Sequence, residues 1–292
     1  MIKPTLSVII ATHNSEEYLE RCLKPLDSQS YERDNFEIIV VDDGSKDQSV
    51  EISKRYADKI IETKPCSVGK ARNIGVNNSN GFFLAFIDSD CEVMDGWIKN
   101  IILSLSKNNA VTGPVLNGNE NSLVAWAEYF IEFGGFHEHH KKSLIRFMPG
   151  CNGACTRKDF VTSGGFVDIR AAEDVLFGES LRKSGSNIWF IPNIMIKHLC
   201  RTEKQKLFSN MNLLGNFFVI SRKINQDIKY SNLINSSFYL PFIFLGRLLI
   251  SAIYSIQAKK FGKFILSLPI IMSALNSFCL GINQVIQKKE NV

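Results

Sequence analysis

Asp88 and Asp90 stand two residues apart at the end of the apolar run "FFLAFIDSD", Phe82 to Asp90. On an extended segment residues i and i+2 face the same way, so the two carboxylates can share one cation. Hard carboxylate oxygens suit Mg²⁺ or Mn²⁺, which bind one or two carboxylates together with substrate phosphates. Taken alone, "DSD" also reads as a solvated turn with Asp90 capping the next helix. Asp42 and Asp43 close a second apolar run, "FEIIVVDDGS". A carboxylate there can accept from a base N–H or a ribose hydroxyl, and the same four polar residues make good turn chemistry. In "SVGKARNIGV", Gly69 admits close backbone approach, Arg72 can hold a diphosphate or fix Asp88, and Lys70 reads as solvated. Asp174 follows Glu173 in "AAEDVLFGESLRKSG". A carboxylate at that point can take the proton of an attacking hydroxyl. Acids in a first helical turn also favour the helix by roughly 0.3–1 kcal/mol without any catalysis. His198 could supply a nitrogen ligand or be structural. "HEHH" (137–140) matches no zinc spacing and reads as a solvated loop, while "GCNGA" (150–154) offers Asn152 to an acceptor cleft.

These residues need elements that bring them together. Leu6 to Ala11 is β-branched and apolar, the pattern of a strand buried on both faces. Phe36 to Asp42, Lys59 to Thr63 and Phe82 to Asp88 read as three more strands. Helices fall between them, in "SEEYLERCLKPLDSQ", where Asn14 or Ser15 can act as the cap, in "KDQSVEISKRYA", and in the segment opened by Gly69. Alternating strands and helices predict βαβ units and an α/β fold with an open, mostly parallel sheet flanked by helices. Ligands bind such sheets at the carboxyl ends of the strands, where "ATHN", "VDDGS" and "DSD" fall. Further on, "LVAWAEYFIEF" predicts a helix with Trp126, Tyr129 and Phe130 partly buried. "AAEDVLFGESLRKSG" predicts a helix stopped at Gly185, and "IWFIPNIMIKH" a strand pair or edge strand.

In this order and spacing, "LSVIIATHN", "IIVVDDGSKDQS", "VGKARNIGV", "FLAFIDSD" and "AEDVLF" resemble the landmarks of a family 2 glycosyltransferase with the GT-A fold, over roughly residues 5 to 200. The resemblance implies a Rossmann-like nucleotide-binding half and an inverting transfer of sugar from a nucleoside-diphosphate donor. It implies donor contacts from Thr12, Asn14, Asp42, Asp43, Gly69, Arg72, Asp88 and Ser89. It further implies a divalent cation, Mn²⁺ or Mg²⁺, on Asp88 and Asp90 with His198 completing the shell, and Asp174 as general base.

The 292 residues allow one large domain or a domain with an appendage, and 45% apolar with 22% charged residues is ordinary for a folded chain. A net charge of +5 without a long basic run argues against a nucleic-acid partner. Seven cysteines without CxxC spacing suit a reduced compartment, and "MIKPTLSVII" lacks the pattern of a secretory signal. After Lys229 the composition turns apolar. Residues 233–256 and 264–286 are each near bilayer-spanning length, but Arg247 sits inside the first, Pro241 and Pro269 interrupt, and "QAKKFGK" puts three lysines between them. Two helices lying in or dipping into the cytoplasmic leaflet fit this better than a spanning hairpin; a soluble helical subdomain or dimer interface is the alternative.

The expected organisation is therefore a GT-A domain over 1–229, with a nucleotide-sugar half (1–110) and an acceptor half (111–229), followed by a membrane-associated helical segment (230–292). The expected partners are a UDP- or GDP-linked sugar, a glycan or lipid-linked acceptor, and the cytoplasmic side of the inner membrane. A dehydrogenase is excluded by "ATHNSEE", which has no GxGxxG. A metal-dependent phosphoesterase or a non-catalytic nucleotide-sugar-binding membrane protein remain as alternatives, and the latter has no use for Asp174.

Overall fold

The structure, a computed structural model, describes residues 4–290. In chain order the elements are β1 (Leu6–Thr12), α1 (Glu16–Asp27), β2 (Phe36–Asp42), α2 (Ser49–Ser53), β3 (Lys59–Glu62), α3 (Val68–Asn77) and β4 (Phe83–Asp88). There follow β5 (Cys91–Val93), α4 (Trp97–Leu105), β6 (Ala110–Thr112), β7 (Val115–Asn117), α5 (Leu123–Glu132), β8 (Ser143–Ile145), β9 (Gly153–Thr156) and α6 (Arg157–Ser163). The chain ends with α7 (Glu173–Lys183), β10 (Ile188–Phe190), β11 (Ile196–His198), α8 (Lys204–Ile224), α9 (Leu240–Gln257) and α10 (Phe261–Glu290). Two compact units form. The first holds residues up to Val115 with Lys141–Leu199, and the second holds Leu116–His140 with the residues from Cys200 onward. The boundary expected at 229/230 falls inside the second unit.

The first unit is built on an eight-stranded sheet of order β3-β2-β1-β4-β9-β6-β10-β8. β1, β2, β3 and β4 run parallel, as the βαβ pattern predicts. β9 runs antiparallel between β4 and β6, which makes the sheet mixed on its far side. The first two strands are buried along nearly their whole length because Val8, Ile9, Ile10, Ile38, Ile39, Val40 and Val41 are covered on both faces. Each such side chain contributes roughly 1.5–3 kcal/mol on burial. Phe86 of β4 meets Phe166 edge-on at 4.9 Å, and Phe160 and Phe177 complete an aromatic cluster beneath the strand. The parallel register sets Thr12 beside Asp42 and Ala11 beside Asp88, so the polar strand ends line up on one edge.

The second unit contains α5, α8, α9 and α10. Trp126, Tyr129 and Phe130 of α5 are buried, more fully than the partial burial expected, and Phe130 meets Phe264 of α10 at 5.7 Å. Glu128 is fully buried and paired with Arg201. Arg247, expected as a charge inside an apolar helix, is turned inward: its guanidinium lies over the Phe278 ring at 4.2 Å and donates to the Ile131 carbonyl at 3.4 Å. Pro241 sits in the first turn of α9, where its missing N–H costs nothing, and α10 runs through Pro269 without a break. In the "HEHH" stretch Glu138 and His139 are exposed, as expected of a solvated loop, but His137 is buried, and burial with the nearby His140 lowers its pKa. Along α9 and the turn before it, Phe238, Phe242, Leu245, Leu249, Ile253 and Ile256 are exposed at helical spacing, and Phe261, Ile265 and Leu266 continue this surface on α10. Both helices are long and apolar enough to cross a membrane.

Candidate active site

The strand-end edge of the first unit collects most of the residues singled out by sequence. Asp42 is buried, and its Oδ1 accepts from the Ser45 N–H at 2.9 Å. Its Oδ2 and the Thr12 Oγ1 are buried beside it with no partner among the described residues. A buried polar atom left unbonded costs about 1–3 kcal/mol, and two of them at adjoining strand ends can accept hydrogen bonds from a ligand. Asp43 turns elsewhere: its Oδ1 accepts from the Cys66 N–H at 2.5 Å, which fixes the approach to α3.

Asn14 adopts a left-handed backbone (φ 49°). Its N–H donates to Ser45 Oγ and its Oδ1 accepts from the Lys46 N–H, both at 2.8 Å. Asn14 thus clamps the turn after β2 and does not cap α1. The cap position belongs to Ser15, whose hydroxyl makes no capping bond and lies 2.9 Å from Ser89 Oγ. Ser89 is thereby tied to the start of α1.

Arg72 is the centre of the arrangement. It is 1% exposed, and it donates through Nη2 to Asp88 Oδ1 at 2.6 Å and through Nη1 to Glu173 Oε1 at 2.5 Å. Burial opposes its charge, yet the two carboxylates hold the guanidinium above its ordinary pKa. Phe166 packs under it at 5.2 Å and Gly150 covers it, since a Cβ on Gly150 would lie 2.5 Å from Nη2. Of the two roles open to Arg72 in the sequence, the fixing of Asp88 is the one observed. Burial pushes the Glu173 carboxyl up against the pull of Arg72, and Asp174 pushes the same way. Asp174 itself is half-buried. Its Oδ2 accepts from the Gly150 N–H at 3.1 Å and its Oδ1 from the Val175 N–H at 2.8 Å. Burial raises its pKa, against those hydrogen bonds and the charge of Arg72.

At Gly69 the structure shows a close approach of the protein's own backbone. A Cβ there would stand 2.2 Å from the Val167 carbonyl oxygen and 3.4 Å from Glu173 Cβ, so glycine lets α3 close against the start of α7. Lys70 is exposed, as read.

The antiparallel ladder of β5 and β11 pairs Cys91 with His198 and so carries the imidazole to the end of β4. His198 Nε2 lies 3.5 Å from Asp90 Oδ1, and the Asp90 carbonyl accepts from the Leu199 N–H at 2.8 Å. Asp90, Cys91 and His198 offer donor atoms within 4.8 Å of one another. Burial, with Cys151 beside it, holds the Cys91 thiol well above its ordinary pKa, and a hard divalent cation prefers the carboxylate and the imidazole to a soft thiol. The second oxygen of Asp88 makes no hydrogen bond among the described residues. An oxygen and nitrogen donor set of this kind fits a hard divalent cation.

Asn152 does not line a cleft. It is 1% exposed, accepts from Trp97 Nε1 at 3.0 Å, and donates to the Ile194 and Pro114 carbonyls at 2.9 and 3.2 Å. Its amide is spent on holding β9 among its neighbours. Sequence reasoning left Glu173 without a definite part and missed the Gly150 N–H on Asp174. The first could have been found by asking which acid balances Arg72 if that arginine is buried. The second left no signal beyond a glycine in a loop.

A parallel half-sheet ends in buried polar atoms, with Asp88 at the end of β4 and Asp90 just beyond it, and a buried arginine joins Asp88 to a second acidic pair. Comparison with known proteins gives the class of the chain. The family described as Glycosyl transferase family 2 matches residues 7–163, more than half of the chain, and the chain belongs to that family. It is 34% identical over 109 residues to the glycosyltransferase AglE of Haloferax volcanii, covering 35% of this chain and 36% of that one. It is 39% identical over 153 residues to the poly(ribitol-phosphate) beta-N-acetylglucosaminyltransferase TarS of Staphylococcus aureus, covering 50% of this chain and 21% of that one. The matches thus span about a third or less of these relatives' lengths. Among solved structures, the mannosyltransferase PcManGT of Pyrobaculum calidifontis, in complex with GDP-Man and Mn²⁺, superposes with a TM-score of 0.67 at 17% identity, covering 99% of this chain and 89% of that one. TarS residues 1–349 with UDP-GlcNAc give a TM-score of 0.55 at 14% identity, covering 99% and 92%. At such identities the likeness establishes the GT-A fold.

Proposed function

We propose that the protein is an inverting glycosyltransferase that moves a sugar from a UDP- or GDP-linked donor to a hydroxyl of a lipid-linked or surface-glycan acceptor at the cytoplasmic face of a membrane. The observation that carries this reading is the double bridge of Arg72, which joins the acid on the strand end to the Glu173–Asp174 pair. One buried cation couples the two acidic groups that a sugar transfer needs, one beside the leaving diphosphate and one beside the attacking hydroxyl.

In this reading Asp42 Oδ2 and Thr12 Oγ1 receive the base and ribose, with Asn14, Asp43 and Gly69 shaping the walls. Asp88, Asp90 and His198 hold a divalent cation, Mn²⁺ or Mg²⁺, which when bound offsets the charge on the departing diphosphate. Asp174 takes the acceptor proton as the acceptor oxygen bonds to the anomeric carbon, on the face opposite the bond that breaks to the diphosphate. Its raised pKa makes it a better base near neutral pH, and the N–H groups of Gly150 and Val175 fix its orientation. The relatives support the donor class: the neighbouring structures hold GDP-Man with Mn²⁺ and UDP-GlcNAc, and TarS is named for transfer to poly(ribitol-phosphate).

Residues 1–110 would bind the donor, 111–229 the acceptor, and 230–292 the membrane. The exposed stripe from Phe238 to Ile256 supports contact with lipid. Within the second unit Lys260 and Lys263 lie 5.8 and 5.9 Å from the Trp126 ring of α5. Lysines held beside α5 in this way favour a hairpin lying in one leaflet over one that carries them across.

The test is Asp174→Asn. Nucleotide release from a UDP- or GDP-sugar, stimulated by a membrane lipid extract, should fall by about 10²–10⁴-fold while nucleotide binding persists. Near-normal turnover would remove Asp174 from the mechanism and favour a phosphoesterase; no turnover in the wild type with binding intact would favour a sensor.

A further inference from the structure

The second unit contains a cavity of about 540 Å³ that the transfer chemistry does not use. Its polar side is made by Arg222, Lys223, Gln226, Ser231, Asn232 and Asn235. Two cations, three amides and a hydroxyl converge there, and among the described residues no carboxylate lines the space. Asp227, the single acid between Arg222 and Asn235, is exposed and is not part of the wall. Buried charges in proteins are paired, because an unpaired one loses hydration without compensation. Arg222 is only 8% exposed and has no carboxylate partner among the described residues. Its Nε and Nη1 donate to the Lys229 and Phe218 carbonyls at 2.9 Å each, and its guanidinium stacks on the Phe218 ring at 3.4 Å. Those bonds fix the group and leave Nη2 uncommitted. Burial and the nearby charge of Arg247 lower its pKa to about 10, the direction expected of a cation that lacks its anion.

What surrounds the cavity is as informative as what lines it. Ile234 and Ile286 form its apolar wall. Tyr230, Phe238 and Phe242, each more than half exposed, follow in the same stretch and lead into the apolar stripe of α9. Aromatic residues beside basic ones are the composition of a membrane–water interface. α9 is 18 residues long, roughly 27 Å at the α-helical rise, with the lysines of the α9–α10 turn at its other end.

We propose that this cavity is a binding site for a phosphate group, and specifically for the headgroup phosphate of a lipid whose chains lie along the exposed face of α9. Arg222 Nη2 and the Lys223 ammonium meet the charge, while the amides of Gln226, Asn232 and Asn235 bond the remaining oxygens. The proposal rests on the reading of α9 and α10 as a lipid-contacting surface. It adds a specific headgroup contact at the end of α9 remote from the turn lysines.

The experiment uses the full chain in a non-ionic detergent and follows phosphorus resonance broadening with two probes, inorganic phosphate and a short-chain phosphatidic acid kept monomeric. The variants are Lys223→Gln, Asn232→Leu and the pair together, which leave the buried Arg222 in place. The expected result is saturable binding of the short-chain lipid, weakened at least tenfold in the double variant. Inorganic phosphate should bind at least tenfold more weakly than the lipid. Equal affinity for the two probes would overturn the lipid assignment in favour of a soluble phosphate source. Binding that the variants do not change, or no binding of either probe, would overturn the site. UDP and GDP binding with Mn²⁺, measured on the same preparations, separates this outcome from a failure of the glycosyltransferase reading, because the cavity residues take no part in the proposed donor site.

Discussion

Replacing Arg72 by methionine removes the one cation that both Asp88 and Glu173 bond, and the structure sets the size of the effect. Removing one partner of a buried ion pair costs about 3–5 kcal/mol. The Asp88 side chain is 34% exposed and can recover hydration, whereas that of Glu173 is 8% exposed and cannot. The loss should therefore come mostly from Glu173 and fall near the lower end, about 3 kcal/mol. For a unit of this size that lowers the melting temperature by roughly 6–12 °C. The pH dependence follows from the sign of the shift. Glu173 already titrates above its unfolded value of 4.5. A group raised in this way favours folding at low pH, and its contribution is lost as pH rises through the folded value. Without Arg72 the folded value rises further, so Arg72→Met should be more destabilised at pH 8 than at pH 5. The pair Arg72→Met/Glu173→Gln should recover about 1–2 kcal/mol of the loss, since the two residues are in contact. Urea unfolding followed by tryptophan fluorescence at both pH values measures all of this. A single variant within about 0.5 kcal/mol of wild type at pH 8, the error of such additivity arguments, or a pair no more stable than the single variant, would refute the bridge as the organising contact.

Two smaller perturbations probe other parts of the site. Gly69→Ala forces a methyl to within 2.2 Å of the Val167 oxygen, so it should cost on the order of 1–3 kcal/mol in urea unfolding; unchanged stability would mean that α3 and α7 are not packed this closely. Asp42→Asn can keep the bond from Ser45 while removing the charge at the unbonded oxygen, so folding should hold and nucleotide affinity fall by roughly 1.5–3 kcal/mol in calorimetry; unaltered affinity would remove Asp42 from the donor site.

The parallel half of the fold is legible in the sequence because its signals are local. β-branched runs end in small polar residues, and the helices between them carry apolar stripes. The polar ends of these runs mark where the strands stop, and the parallel register brings Thr12, Asp42 and Asp88 to one edge of the sheet. The antiparallel side is less legible. β9 is "GACT", four small residues whose strand state comes from pairing with β4 and β6 and not from propensity. Asn152 looked like a ligand residue because a polar side chain between glycines gives no hint that its partners are the distant Trp97, Pro114 and Ile194. Asn14 misled in the same way, since a helix cap and a clamp on a neighbouring turn use the same side chain. Arg247 read as a charge stranded in an apolar helix, and only the packing of α9 against α5 and α10 reveals that it faces inward.

The central claim is that Asp88 and Asp90 accept a divalent cation and, through it, a nucleoside diphosphate. The direct measurement is calorimetric titration of UDP and GDP with and without Mn²⁺, on wild type and on Asp88→Ala and Asp90→Ala. The account predicts that one nucleotide binds, that binding requires the metal, and that either substitution abolishes the metal dependence while the protein stays folded. Failure of both nucleotides to bind folded wild type in the presence of Mn²⁺, or binding indifferent to both aspartates, would contradict it.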